Sequence, residues 1–367
     1  FTVYYNVGMT TPIDGKAIRV YFDTEGNALP GNAIRLYPSN INEYLTSDGN
    51  TFIEDAPADG RVYGRKNNTW TNNIALANYV MVVDANGNGD YETIEEAFAA
   101  VTMPTDVIFL TDDVVLTGNI GDIPSCIITG LLNRSFIFPP DYTCVINGTT
   151  VFQGLIIAST SNTKALDSIL IGVNADLTFN NCKFENSGDE YFGIDGSGGK
   201  LTLSDVDFVQ GTFRVGAEMC VANNVCSYNN AIVQIVVRDT GNGATSVTNS
   251  YAVSGDLLVT DAYGIDKIYI ANSYLQGYTL QPLSTFSQNN LYVENTTVKG
   301  VGVSAFVIGN GSVLGTIQAH NCYFWSTTGH AVSSGAGMWN PAALYHCRFT
   351  GTLSNVTVPA ANYPIMI

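Results

Sequence analysis

Apolar and polar residues alternate in short runs along most of this chain, and between 178 and 354 the alternation is packaged into one repeating unit. The unit reads apolar residue, one or two polar residues, a small residue or Cys, then an aromatic or β-branched residue, often closing on Gly. Its copies are TFNNCKFENSG, TLSDVDFVQGT, CVANNVCSYNN, SVTNSYAVSGD, YIANSYLQGYT, YVENTTVKGVG, QAHNCYFWSTT and LYHCRFTGTLS. Aligned on the polar residue before the small one, they place Asn181, Asp205, Asn224, Asn249, Asn272, Asn295, Asn321 and His346 in one column, spaced 19 to 26 residues apart. A period of that length without helical patterning predicts a solenoid. Each copy is too small to bury its own apolar face and must stack on its neighbours. The L-x-x-L-x-L-x-x-N framework of a leucine-rich repeat is missing. The pattern therefore predicts an all-β parallel β-helix of three short strands per coil, rising about 3.3 Å per residue with coils about 4.8 Å apart. The Asn column is expected to form an amide ladder between coils, as in stacked cross-β structures. The competing reading is a β-sandwich with coincidental Asn-rich turns.

The rest of the chain divides around this array. Residues 1–40 alternate like strands at Phe1 to Asn6, Ala17 to Phe22 and Ala33 to Tyr37, with turns at Asp14-Gly15, Glu25-Gly26 and Pro30-Gly31, and are expected to form a small β module. Residues 41–78 read as an irregular connector. In 79–104, a strand leads to a capping box formed by Thr93 and Glu96, with Ile94, Ala97, Phe98 and Val101 on one helical face. That short helix is expected to cover the open apolar end of a solenoid. Weaker coils are read from Val107 to Leu110, Cys126 to Thr129, Phe136 to Phe138, Val151 to Ile157 and Ile169 to Ile171, so that 105–357 holds ten or eleven coils. The tail, 358–367, is expected to leave the repeat and cap the second end.

Composition narrows the partners. The net charge is −17 with only 13% charged residues, which argues against nucleic acid, because affinity for phosphate backbones comes largely from Lys and Arg. It argues equally against anionic lipid. No apolar run approaches the length of a membrane span, and the opening FTVYYNVGMTT lacks the basic and apolar regions of a secretory leader. The seven Cys include no CxxC. Cys182, Cys322 and Cys347 share one repeat position and read as buried free thiols, with Cys322 and Cys347 able to stack.

Two stretches carry a resemblance. Asp59-Gly60-Arg61-Val62-Tyr63-Gly64-Arg65-Lys66-Asn67-Asn68-Thr69-Trp70 resembles the D-G-K-x-Y-G-R-K-x-x-x-W segment of tailed-phage tail fibres and tailspikes, with Arg61 in place of the first Lys. The run Val82 to Phe98 is similar to the entry of the pectate-lyase-like β-helix superfamily. The resemblance implies a right-handed parallel β-helix, a parallel homotrimer and a virion location after assembly in the host cytoplasm. It further implies docking to other tail or baseplate proteins through the N-terminal module. The function it implies is adhesion to a bacterial surface polysaccharide, with depolymerase activity or a purely structural fibre as alternatives.

Leu203 to Gly211 is similar to the catalytic strand of pectin methylesterases, but the flanking Q-D-T-L-Y and L-G-R-P-W segments are absent, so Asp207 reads as a repeat residue. The Arg pair of pectate lyases is missing, as are H-E-x-x-H and G-x-S-x-G. Asp195, Glu218, Asp239 and Asp261 keep the coil period and could form an acidic row in which one member is a general acid. For glycan binding the candidates are Tyr323 and Trp325, expected to share a face opposite Phe324, together with Trp339. The run from Asp84 to Glu95 matches an EF-hand loop with Asp84, Asn86, Asn88 and Glu95 at ligand positions 1, 3, 5 and 12 and Gly89 at the turn position 6. The preceding helix is missing, and a tight Gly turn into the capped helix accounts for the same residues. No metal or cofactor is expected.

Overall fold

The computed structural model describes residues 80–354 except 132, 140–141, 160–167, 189–190, 238–242, 262–266, 286–289, 309–315 and 335–342. It also describes short strands at 44–45, 52–53, 64–66, 69–71 and 365–366. Contacts divide the chain into two units, Phe1–Ala75 and Leu76–Ile367. In the first unit Tyr44–Leu45 pairs antiparallel with Phe52–Ile53, and Gly64–Lys66 with Thr69–Thr71, setting Arg65 opposite Trp70. The basic pair and the Trp of the fibre-like segment thus belong to one hairpin. The strands expected between Phe1 and Tyr37 lie outside the described residues.

The second unit is a parallel β-helix of about ten coils. Strand pairing fixes its three sheets. Thr149–Gln153 stacks on Asp176–Asn180, Ile156–Ser159 on Lys183–Asn186, and Ile169–Ile171 on the strand that starts at Tyr191. These pairs belong to sheets A, B and C, which begin in earlier coils and continue coil by coil toward the C-terminus. Some coils run through their corners without a break in strand geometry, as in Tyr191–Gln210 and Thr212–Ser227.

The corner between sheets A and B is the repeat column seen in the sequence. Asn181, Asp205, Asn224, Asn249, Asn272, Asn295, Asn321 and His346 all adopt φ between 48° and 55°. Among non-glycine residues this left-handed region is favoured by Asn and Asp, whose short polar side chains bond locally. Gly154 (φ 68°) and Asn133 (φ 63°) occupy the same corner in earlier coils, and the run Val151 to Ile157 divides there between Thr149–Gln153 and Ile156–Ser159. Amides in the column bond from coil to coil: Asn224 Nδ2 donates to Asp205 Oδ1 at 2.7 Å, Asn295 to Asn272 and Asn321 to Asn295 at 3.3 Å each. Asn249 breaks the ladder by donating to Asn223 instead, at 2.9 Å.

One residue past the corner, a second ladder points inward. Ser250 Oγ accepts from Val225 N–H, Ser273 Oγ from Ser250 N–H, and Thr296 Oγ1 from Ser273 N–H. Each hydroxyl donates back to a carbonyl two residues earlier. Cys182, Cys322 and Cys347 take the same place, with thiols 3.2 to 3.5 Å from the equivalent carbonyls. All seven Cys are free and six are buried. Burial pushes the Cys126, Cys144 and Cys220 thiols up to about 12. Cys322 and Cys347 do stack, and the hydrogen bond between them together with burial raises the Cys322 thiol.

Alternation fills the core from sheets A and B, while sheet C also buries consecutive residues at Ile235–Val237 and Leu257–Val259. Phe152 and Phe179 stack at 5.1 Å, Phe184 and Phe208 at 4.8 Å, and Phe179 meets Phe184 edge-on across the corner at 4.9 Å. Phe306, Phe324 and Phe349 form a second stack at 5.8 and 5.6 Å. At the N-terminal end, Val80–Val83 pairs in parallel with Val107–Leu110. Between them lies the helix Ile94–Ala100, with the Thr93–Glu96 capping box in place and Ile94, Ala97 and Phe98 buried in the same core. Glu95 turns away to accept from Thr117 N–H and Oγ1, both at 2.8 Å. Asp84 Oδ1 accepts from Asn86 N–H in a local turn, and a Cβ on Gly89 would stand 2.6 Å from the Val82 carbonyl. The EF-hand-like residues therefore do the work of a tight turn. At the other end, Ile365–Met366 adds a parallel rung to Arg348–Phe349. That part of the tail continues sheet B rather than leaving the repeat.

Candidate functional site

The outward rows of sheet B near the C-terminus concentrate aromatic and cationic side chains. Register places Tyr251, Tyr274, Thr297, Tyr323 and Arg348 in one row, and Gln276, Lys299, Trp325 and Thr350 in the next. Phe324 is fully buried while Tyr323 and Trp325 are partly exposed, so the pair shares the outer face, as the alternation predicts. Their rings stack at 6.3 Å with planes 12° apart. Coil stacking carries Lys299 Nζ to 4.7 Å from the Trp325 ring centre and the Arg348 guanidinium to 5.5 Å from that of Tyr323. Both are cation–π distances. Tyr323 Oη shares a 2.8 Å hydrogen bond with Thr350 Oγ1. The result is a rigid double-ring platform flanked by two cations.

Across the Asn corner, sheet A carries a second aromatic face. Tyr269, Tyr292 and Gln318 form one outward row, and Glu294, His320 and Tyr345 the next. Tyr269, Tyr292 and Tyr345 remain 40%, 39% and 37% exposed. Tyr269 donates its hydroxyl to the Glu294 carboxylate, and that bond raises the phenol's pKa. His320 stacks on Tyr345 at 4.6 Å. These residues escaped sequence reasoning, although a signal was present. Measured from the corner residue, positions −3 and −1 face outward, and Tyr269, Tyr292, Glu294, His320 and Tyr345 fall there. The amide column Asn272–Asn295–Asn321 runs between the two aromatic faces.

Strand register does not pair Asp195 with Glu218. Asp195 is partly exposed in sheet C, and its register partners are Leu170 and Gly216, not Glu218. The pairing shifts between Gly196 and Lys200, opposite the segment that holds Glu218. A coil spacing of 23 residues does not bring the two together because the intervening turn differs in length. Asp261 pairs by backbone with Val237, in a different row from Asp195. Asp239 and Trp339 lie outside the described residues. Asp207 sits in the outward row of sheet B between Lys183 and Cys226. Burial raises its pKa, and the Lys183 charge opposes the rise. Among the described residues no group of three or more His, Cys, Asp or Glu side chains could hold a metal ion, and no helix is long and apolar enough to cross a membrane.

No protein-family profile matches this sequence, and no curated protein matches it. Among solved structures it is similar to the crystal structure of bacteriophage CBA120 tailspike protein 3, at 12% sequence identity and a TM-score of 0.41. The match covers 74% of this chain and 50% of that one, so this chain spans about half of the protein it matches. The parallel β-helix stands on the strand register described above.

Proposed function

We propose that this chain is a phage tail fibre or short tailspike that adheres to a bacterial surface polysaccharide through the outward faces of its C-terminal coils. The observation that carries the reading is the Tyr323–Trp325 platform, held rigid by its strand and flanked by Lys299 and Arg348. Aromatic rings offer a large apolar face at low conformational cost, which suits the C–H face of a sugar ring. Coil stacking repeats such faces about every 4.8 Å, a geometry for a chain ligand rather than a single small molecule. The fibre-like segment around Arg65 and Trp70 supports the phage assignment. On this reading residues 1–40 attach to the virion, and three copies associate in parallel.

The test is binding of the full chain to polysaccharide purified from host cells. Trp325→Ala is expected to weaken it by about 2 kcal/mol or more, the usual cost of losing an aromatic anchor, and Lys299→Ala by less. Cell binding that survives complete removal of surface polysaccharide overturns the proposal. Release of reducing ends from the bound glycan, lost in Glu218→Gln, would replace adhesion with depolymerase activity.

A further inference from the structure

Charge is unevenly divided along this chain. Of its 32 acidic residues Glu294 alone falls after Asp266, whereas Lys267, Lys299 and Arg348 all fall there. Residues 267–367 therefore carry more positive than negative charge, in a protein whose net charge is −17. The fold sorts these few groups onto different faces. Glu294 lies on sheet A, where its carboxylate accepts the Tyr269 hydroxyl. Lys299 and Arg348 lie on sheet B, whose outward rows hold no carboxylate from Tyr251 to Thr350. Among the described residues neither of these two cations forms an ion pair.

Register puts the two cations on opposite sides of the ring pair. Lys299 is one coil before Trp325, and Arg348 is one coil after Tyr323. Lys299 Nζ stands 4.7 Å from the Trp325 ring centre and the Arg348 guanidinium 5.5 Å from that of Tyr323. A ring face attracts a cation but supplies no acceptor oxygen for its N–H donors. A sugar residue that touches either ring is therefore brought beside a cation that has no carboxylate of its own. We propose that the platform selects an acidic polysaccharide, taking a sugar residue that bears a carboxylate, with the ring on Tyr323 or Trp325 and the carboxylate on Arg348 or Lys299. The inference rests on the glycan-adhesion reading and names the class of glycan. The Arg348 fork matches a carboxylate with two parallel hydrogen bonds, and the Lys299 ammonium adds a point charge. Charges more than about 8 Å apart are largely screened at physiological ionic strength. The groups next to the rings, rather than the total charge, thus decide which glycan is admitted. Exposed ion pairs add little affinity, so the cations act mainly by discrimination between glycans.

The experiment measures binding of the full chain to polysaccharide purified from host cells, before and after its carboxylates are reduced to hydroxymethyl groups with carbodiimide and borohydride. Reduction is expected to weaken binding by the unaltered chain about tenfold. The double variant Lys299→Gln/Arg348→Gln should bind the native polysaccharide about tenfold more weakly than the unaltered chain does, and the reduced polysaccharide equally well. If reduction leaves binding by the unaltered chain unchanged, the acidic class is overturned while the adhesion reading stands. If the double variant weakens binding to both polysaccharides equally, the cations serve only to hold the rings, and the inference is again overturned. An unaltered chain that does not bind the native polysaccharide overturns the adhesion reading itself.

Discussion

At Asn295 one backbone torsion and two side-chain bonds meet. Its φ is 48°, a region that costs an ordinary L-residue roughly 1–2 kcal/mol. Its amide receives from Asn321 and donates to Asn272. Asn295→Ala loses both bonds and keeps the strained torsion, so it should destabilise the coil array by about 2–3 kcal/mol, counting ~0.5–1.5 for each bond. Asn295→Gly relieves the torsion and should recover about 1 kcal/mol of that. Urea unfolding of the two variants checks the order; equal midpoints would show that the ladder, not the torsion, selects Asn. The corner residue was legible as a repeat position because each coil imposes the same torsion. Its left-handed torsion was not read from the sequence, and neither was Gly154 at the head of the column.

At the scale of elements, the strands of sheets A and B are legible because most of them alternate against a single shared core. The Phe stacks join neighbouring strands into one unit. Phe184 touches Phe179, Phe208, Phe192 and Phe213 at ring-centre distances of 4.8 to 6.2 Å. Phe184→Ala opens a cavity between coils on both sides, and a loss of about 3–5 kcal/mol is expected. Calorimetry of the variant measures it, with Phe184→Leu falling well below that range. The helix Ile94–Ala100 was equally legible, since a capping box and an i, i+3, i+4 face are local signals. The EF-hand pattern in the same run was ambiguous. One-dimensional spacing cannot tell a ligand at Glu95 from a side chain that reaches Thr117 in the next turn of the solenoid.

At the scale of the molecule, the proposed fibre is a three-fold assembly. One chain is 39.3 kDa, so light scattering should give about 118 kDa for a closed trimer. A mass near that of one chain would remove the trimer and shift attention to an intramolecular binding cleft. The net charge of −17 predicts soluble particles that repel one another. It also makes Lys299 and Arg348 beside the platform stand out, because few cations are available and two are spent on ring faces.

By itself the sequence determined the repeat, its corner column and the short helix before the array. All of these are short-range or strictly periodic, and one core enforces them in every coil. It also determined that Tyr323 and Trp325 share a face, since alternation along one strand is local. The tertiary structure alone decided which coil neighbours meet. It set Lys299 over Trp325 and brought Tyr269 to Glu294. It also placed Asp195 opposite Gly216 instead of Glu218. Contacts between coils depend on the length of every turn in between, and turns vary from coil to coil. A period counted in residues therefore predicts the ladder at the corner, where torsion resets the register, and drifts wherever the chain runs on through a loop.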